Sequence, residues 1–184
     1  MLRRTFLIRT ASLLSLPMIA LAAAPASPIA DTSTTIILVR HGEKAAEPAS
    51  DPMLSAAGEA RAMALVDVVR GAGISAIYST GYKRTQNTAR PTSEQLTVPV
   101  TTFDANPSDP NYGRLYAAEL LAKQKGKVVL VVGHSNTIPL ILRGLGIADA
   151  PAIADPEYDN LYVVTVPETG PPRVVKAHYG APTR

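Results

Sequence analysis

Two histidines stand at the ends of apolar runs. Thr35-Ile36-Ile37-Leu38-Val39 leads into Arg40-His41-Gly42, and Val128-Val129-Leu130-Val131-Val132 leads into Gly133-His134-Ser135-Asn136. Imidazole exchanges protons near neutrality and guanidinium is a permanent cation, so these residue types suit chemistry on an anion. Each run has the length and β-branched content of a strand buried on both faces of a parallel sheet. Open α/β sheets form their ligand crevice beyond the carboxyl ends of such strands, where Arg40, His41 and His134 would emerge. One Arg-His pair reads equally well as a strand end whose histidine caps a neighbouring helix. The second strand ending in a histidine favours a site.

The elements that must hold these residues can be read along the chain. Ala45 to Met53 is a Pro- and Ala-rich loop. Ser55 is a candidate N-cap, and Leu54, Ala62, Leu65, Val66 and Val69 give an apolar face to a helix ending at Gly71 or Gly73. Ile74 to Ser79 reads as a second strand, and a helix from Lys83 is expected to stop near Pro91 or soon after. Leu96 to Phe103 reads as a strand kept toward an edge by Pro99. A turn-rich loop from Asp104 to Asn111, a helix from Tyr112 to Lys125, the Val128 to Val132 strand and a helix from Thr137 to Leu145 follow. Strands at Leu161 to Val166 and Arg173 to Ala177 complete the chain. This alternation predicts an α/β fold, a three-layer αβα sandwich around a mainly parallel sheet.

Four segments carry a resemblance: Arg40-His41-Gly42, Leu54-Ser55-x-x-Gly58-x-x-Arg61-Ala62, Arg84-x-x-x-Thr88-Ala89 and Gly133-His134-Ser135-Asn136-Thr137. In order and spacing they resemble the small single-domain branch of the histidine phosphatase (phosphoglycerate mutase-like) superfamily. The resemblance implies the same three-layer fold and a small phosphorylated substrate. It assigns His41 as nucleophile, tethered by a backbone carbonyl and phosphorylated in turn, and Arg40, Arg84 and His134 as the cations around the phosphate. Phosphoryl transfer needs such a nucleophile in line with the leaving oxygen and positive charge around the equatorial oxygens. Arg84 would open a helix, whose free amides also favour an anion. Thr80 stands where relatives usually have Ser, and Thr85 where they often have Ala.

The general acid is open. Ser135 occupies the position where one branch of the superfamily carries an Asp. Asp104, after the third strand, and Glu43 are the counterparts of the mutase acid, and a turn-forming role suits Asp104 equally well. Some phosphohistidine phosphatases have no obvious acid. Asn136, Thr137 and Tyr158-Asp159-Asn160 are expected to edge the pocket, whereas Lys44, Lys83, Arg90 and His178 read as surface or structural residues. An alternative function is a phosphate-binding module of the same fold with impaired turnover. Zinc on His41, His134 and His178 fits no metal spacing, so no metal or other cofactor is expected.

The 184 residues are 46% hydrophobic and contain no cysteine, which suits one core and excludes disulfides and a thiol nucleophile. Arg3, Arg4 and Arg9 account for the whole formal charge of +3, so the chain beyond Asp31 is near neutral and nucleic acid is not an expected partner. Met1 to Ala30 has the basic start, apolar middle and small residues of a secretory signal. We expect a signal over residues 1–26, cleaved somewhere in 22–30, and one domain over residues 31–184. Arg3-Arg4-Thr5-Phe6-Leu7 resembles a twin-arginine signal, leaving Sec and Tat both open. The expected product is periplasmic or secreted, with no stable membrane insertion after processing. Oligomeric state is not legible.

Overall fold

The computed structural model describes residues 32–183. The expected export signal lies outside the described residues. Ten elements follow in order: β1 (Thr34–Arg40), α1 (Ala56–Val69), β2 (Ile74–Thr80), α2 (Lys83–Leu96), β3 (Val100–Phe103), α3 (Tyr112–Lys123), β4 (Val128–Gly133), α4 (Ile138–Gly144), β5 (Asn160–Val166) and β6 (Arg173–His178).

The strands form one sheet in the order β3-β2-β4-β1-β5-β6. β3, β2, β4 and β1 pair in parallel, whereas β5 runs antiparallel to both β1 and β6. Side chains alternate across a strand, so β1 and β4 feed two cores at once. Ile36, Leu38, Val129 and Val131 pack on one face with Leu120 of α3 and Ile138, Ile141 and Leu142 of α4. Ile37, Val39, Leu130 and Val132 pack on the other with Leu65 and Val69 of α1 and Ala89 of α2. The result is the expected three-layer αβα sandwich. Leu38 has no exposed surface, so truncating it to Ala would cost about 2 to 5 kcal/mol.

Two boundaries differ from the sequence reading. The second helix continues through Pro91 to Leu96, ending at Thr97 in the left-handed conformation (φ 55°). Proline removes one helical hydrogen bond, and here burial of Ala89 and Thr92 on the same helix outweighs that loss. Leu96 therefore belongs to a helix, and the edge strand shrinks to Val100–Phe103.

Two glycines set how closely the first motif meets α1. A Cβ on Gly42 would lie 2.7 Å from the Gly58 carbonyl oxygen, and one on Gly58 would lie 2.2 Å from that of Glu43. The loop after His41 thus rests backbone to backbone on the start of α1. Ser55 caps that helix as expected, accepting from Gly58 N at 3.3 Å.

Candidate active site

Parallel pairing of β1 with β4 places Arg40 opposite Gly133, and His41 N donates to Gly133 O at 3.0 Å. Two motifs far apart in sequence therefore end side by side, with the imidazole rings 5.2 Å apart between centroids and edge to face. β2 lies against the other side of β4 and delivers Thr80, while α2 begins just beyond it with Arg84. The cleft they surround is about 370 Å³ and is lined by Arg40, His41, Arg84 and His134. Ser135 and Asn136 also line it, as does Lys44, which had read as a surface charge.

His41 is buried, and its Nδ1 lies 2.8 Å from the Gly42 carbonyl oxygen. A carbonyl only accepts, so Nδ1 carries the proton and Nε2 keeps a lone pair. Burial lowers the His41 pKa to about 3; the Gly42 hydrogen bond opposes this, and His134, Arg40 and Arg84 add to it. The ring is thus neutral throughout the physiological range. Gly42 N donates to Thr88 Oγ1 at 2.9 Å, and that hydroxyl donates to Arg84 O at 2.8 Å, tying the histidine loop to α2.

His134 is held differently. Its Nε2 lies 2.9 Å from Thr80 Oγ1, which lies 2.7 Å from Thr85 Oγ1. Thr85 Oγ1 also faces the carbonyl oxygens of Tyr82 at 2.8 Å and Thr80 at 3.1 Å, so its one proton goes to a carbonyl. Thr85 then accepts from Thr80, and Thr80 accepts from His134 Nε2–H. Burial, reinforced by Arg84 and Arg40, lowers the His134 pKa to about 4. The backbone amide of His134 donates to Thr137 Oγ1 at 2.9 Å, an interaction that braces the turn into α4.

Arg40 is almost wholly buried, at 3% exposed. Its Nη1 donates to the carbonyls of Ala154, Asp155 and Glu157 at 2.9, 2.6 and 3.1 Å, and Nη2 donates to Asp155 Oδ1 at 3.1 Å. Its guanidinium stacks 4.0 Å over the Tyr158 ring, and Nε has no hydrogen-bond partner. Arg84 lies 4.4 Å over Tyr82 and 3.9 Å from Asp51 Oδ1. Tyr82 stands perpendicular to His134 at 5.3 Å, and Tyr158 lies 5.9 Å from His41, so two tyrosines flank the histidine pair.

Of the two carboxylates weighed as acids, Glu43 is committed elsewhere. Arg61 grips it through Nε at 2.9 and 3.2 Å and Nη2 at 2.7 Å. Burial opposes ionisation, but the Arg61 fork outweighs it and keeps Glu43 below the usual carboxylate range. The other Arg61 donors reach Tyr179 O and Ala181 O, pinning the end of the described chain beneath the first motif. Asp104 lines two neighbouring cavities, not the cleft that holds His41. Among the pocket-edge residues, Tyr158 reaches the site, whereas Asp159 turns to Thr183 and His178. His178 is 61% exposed and is not brought to the histidine pair. Among the described residues no cluster of three His, Asp or Glu side chains could hold a metal.

Residues 36–105 match the family model of the histidine phosphatase superfamily, branch 1. Solved structures extend the likeness to nearly the whole described chain. The protein histidine phosphatase SixA, complexed with tungstate, is 20% identical with a TM-score of 0.57, covering 78% of this chain and 96% of its own. This is a histidine phosphatase fold. The same fold is shared with a phosphoserine phosphatase from Entamoeba histolytica (16% identity, TM-score 0.59, 81% of this chain and 98% of that one). A mycobacterial glucosyl-3-phosphoglycerate phosphatase is comparable (16%, 0.60, 77% and 97%). No curated protein matches the chain.

Two features of the site had no sequence signal, Asp155 on Arg40 and the Glu43–Arg61 lock, and the Thr80–Thr85 relay showed only as two departures from the family pattern. Asp155 and Tyr158 come from a loop without periodicity, and only the fold brings them to β1.

Proposed function

We propose that this chain is an exported phosphatase that hydrolyses phosphomonoesters, with phosphohistidine as a second substrate class, through a phosphohistidine intermediate on His41. The observation that carries this reading is the state of His41: neutral, with Nδ1–H held by its own backbone and Nε2 free beside Arg40, Arg84 and His134. Nε2 attacks phosphorus, the ester oxygen leaves, and water then cleaves the phosphorus–nitrogen bond. Arg84 and the free Nε of Arg40 supply the fixed cations that stabilise the charge spreading over the phosphoryl oxygens in the transition state, whereas His134, neutral above about pH 4, lines the cleft without being the third cation that the resemblance implies. Positive charge from the two arginines makes the reaction independent of a metal. Phosphatases acting on phosphohistidine, on phosphoserine and on a glucosyl phosphoglycerate share this fold, which supports hydrolysis over a broad range of leaving groups.

The test supplies an aryl phosphate and follows release of the phenolate together with trapped label. Label should sit on His41 in an acid-labile, base-stable form, and His41→Ala should lose both label and turnover. Chelators should leave the rate unchanged; activity restored only by zinc or magnesium would overturn the metal-free scheme. A module that binds phosphate without turnover would show neither label nor phenolate. Export rests on residues 1–30 and is tested by fusing them to a reporter active only outside the cytoplasm. Hydrolysis is further separated from mutase activity by supplying 3-phosphoglycerate with a trace of 2,3-bisphosphoglycerate. Phosphate release should outpace formation of 2-phosphoglycerate.

A further inference from the structure

We infer that Asp155, on the loop clasped by Arg40, is the carboxyl group that protonates the leaving oxygen and then activates water; this rests on the phosphatase reading above. Three observations carry it. First, Asp155 lines the cleft that contains His41, Arg84 and His134. Second, its backbone is fixed while its side chain is free to move. The carbonyls of Ala154, Asp155 and Glu157 all accept from Arg40 Nη1, whereas the Asp155 side chain is 91% exposed and makes its ion pair with Arg40 Nη2 alone. Third, the other nearby carboxylates are engaged or elsewhere. Glu43 is gripped by Arg61, Asp51 accepts from Lys83 N at 3.0 Å, and Asp104 lines other cavities.

The Arg40 geometry shows how the group is recruited. Nη1 is saturated by the loop, leaving the Nε and Nη2 edge as the fork that a phosphate would take. Nε is buried without a partner, and Nη2 carries Asp155 Oδ1. In the free protein the carboxylate therefore occupies half of the phosphate's place. An entering phosphate displaces it, while the backbone contacts to Nη1 keep the loop at the cleft. The displaced carboxylate has lost its cation and lies beside the bound phosphate, where a substrate monoanion can hand it a proton.

The reaction then balances. His41 Nε2 forms a bond to phosphorus as the phosphorus–oxygen ester bond breaks, and the Asp155 proton passes to the departing oxygen, giving the alcohol. In the second half the Asp155 carboxylate takes a proton from water, whose oxygen attacks phosphorus as the phosphorus–nitrogen bond breaks. Inorganic phosphate leaves, the proton taken from water departs with it or passes to solvent, His41 is neutral again and the Asp155 carboxylate returns to Arg40 Nη2.

The experiment compares wild type with D155N and D104N on two substrates, an aryl phosphate whose phenolate leaves unaided and an alkyl phosphate whose alkoxide does not. Asn keeps the backbone contacts to Arg40 and an acceptor for Nη2 but carries no transferable proton. In D155N, alkyl phosphate turnover should fall at least 100-fold. The same variant should still give a rapid burst of phenolate from the aryl substrate, followed by slow turnover and accumulation of label on His41. Equal losses on both substrates with no burst, or wild-type rates on both, would overturn the assignment. The leaving-group split appearing in D104N instead would return the role to Asp104. Wild-type burst and label on His41 are read in the same experiment, so failure of the phosphatase reading, with neither seen, is distinct from failure of the Asp155 assignment.

Discussion

The ends of β1 and β4 present the same residue type at neighbouring positions of one sheet, yet fix it by opposite means. His41 is tethered at Nδ1 by the carbonyl of the next residue. His134 is tethered at Nε2 by a hydroxyl pair delivered from β2 and α2. A backbone tether cannot be removed by side-chain substitution, so in the proposed reaction the ring that presents a lone pair to phosphorus is secured by the chain itself. The other ring is held by two threonine side chains, and is open to change. The rings therefore carry opposite tautomers, Nδ1–H on His41 and Nε2–H on His134. Nitrogen-15 shifts of the imidazoles at neutral pH would show this directly, and identical tautomers would break the comparison.

The largest effect expected is at the backbone-tethered ring. His41→Ala should abolish turnover, a loss of about 10⁴-fold or more, equivalent to some 5 to 6 kcal/mol, while circular dichroism stays native because the side chain belongs to the cleft. Residual activity within tenfold of wild type would remove His41 from its role.

Next in size is a dependence of stability on pH that both rings share. Their pKa values fall from the ordinary 6.5 to about 3 for His41 and about 4 for His134, each chiefly through burial. Below pH 6.5 the unfolded chain takes up protons that the folded one refuses, so the stabilisation present above that pH is lost as pH falls toward 3 to 4. The loss by pH 4 should be roughly 3 to 6 kcal/mol for the pair. Urea midpoints across this range should flatten in His41→Asn combined with His134→Asn, and an unchanged slope would mean that other groups carry the acid sensitivity.

Arg84→Ala should weaken inhibition by phosphate and vanadate together with substrate turnover, by about 2 to 3 kcal/mol for a lost charge-assisted contact. Phosphate inhibition equal to wild type would place Arg84 outside the anion site.

The smallest effect should be the most selective. Thr80→Val removes the hydroxyl that accepts from His134 while keeping the shape of a fully buried side chain. It should lower kcat about tenfold, roughly 1 to 2 kcal/mol, and shift the nitrogen resonances of His134 while those of His41 stay put. Movement of both rings would mean that the two tethers are coupled and the contrast false.

How much of this was legible beforehand follows from what each tether is made of. The alternation of apolar runs gave the parallel core, and Ser55 marked the N-cap of α1 that the structure shows. Pro91 misled because helix-breaking is a local tendency, and the packing of Ala89 and Thr92 overrides it. The place of Glu43 in sequence suits an acid, and nothing local announces that Arg61 reaches back to pair with it.

The sequence by itself determined the parts that depend on neighbouring residues. These are two strands ending in histidine, the carbonyl within reach of His41 and the glycines that let the first motif lie on α1. Tertiary structure alone decided the charge state and accessibility of those parts, because desolvation, the Thr80–Thr85 relay and the loop around Arg40 join residues from β1, β2, α2 and the segment before β5. Hydrogen bonds act over about 3 Å and burial is a property of the whole packed sheet, so neither is written in the spacing of residues along the chain.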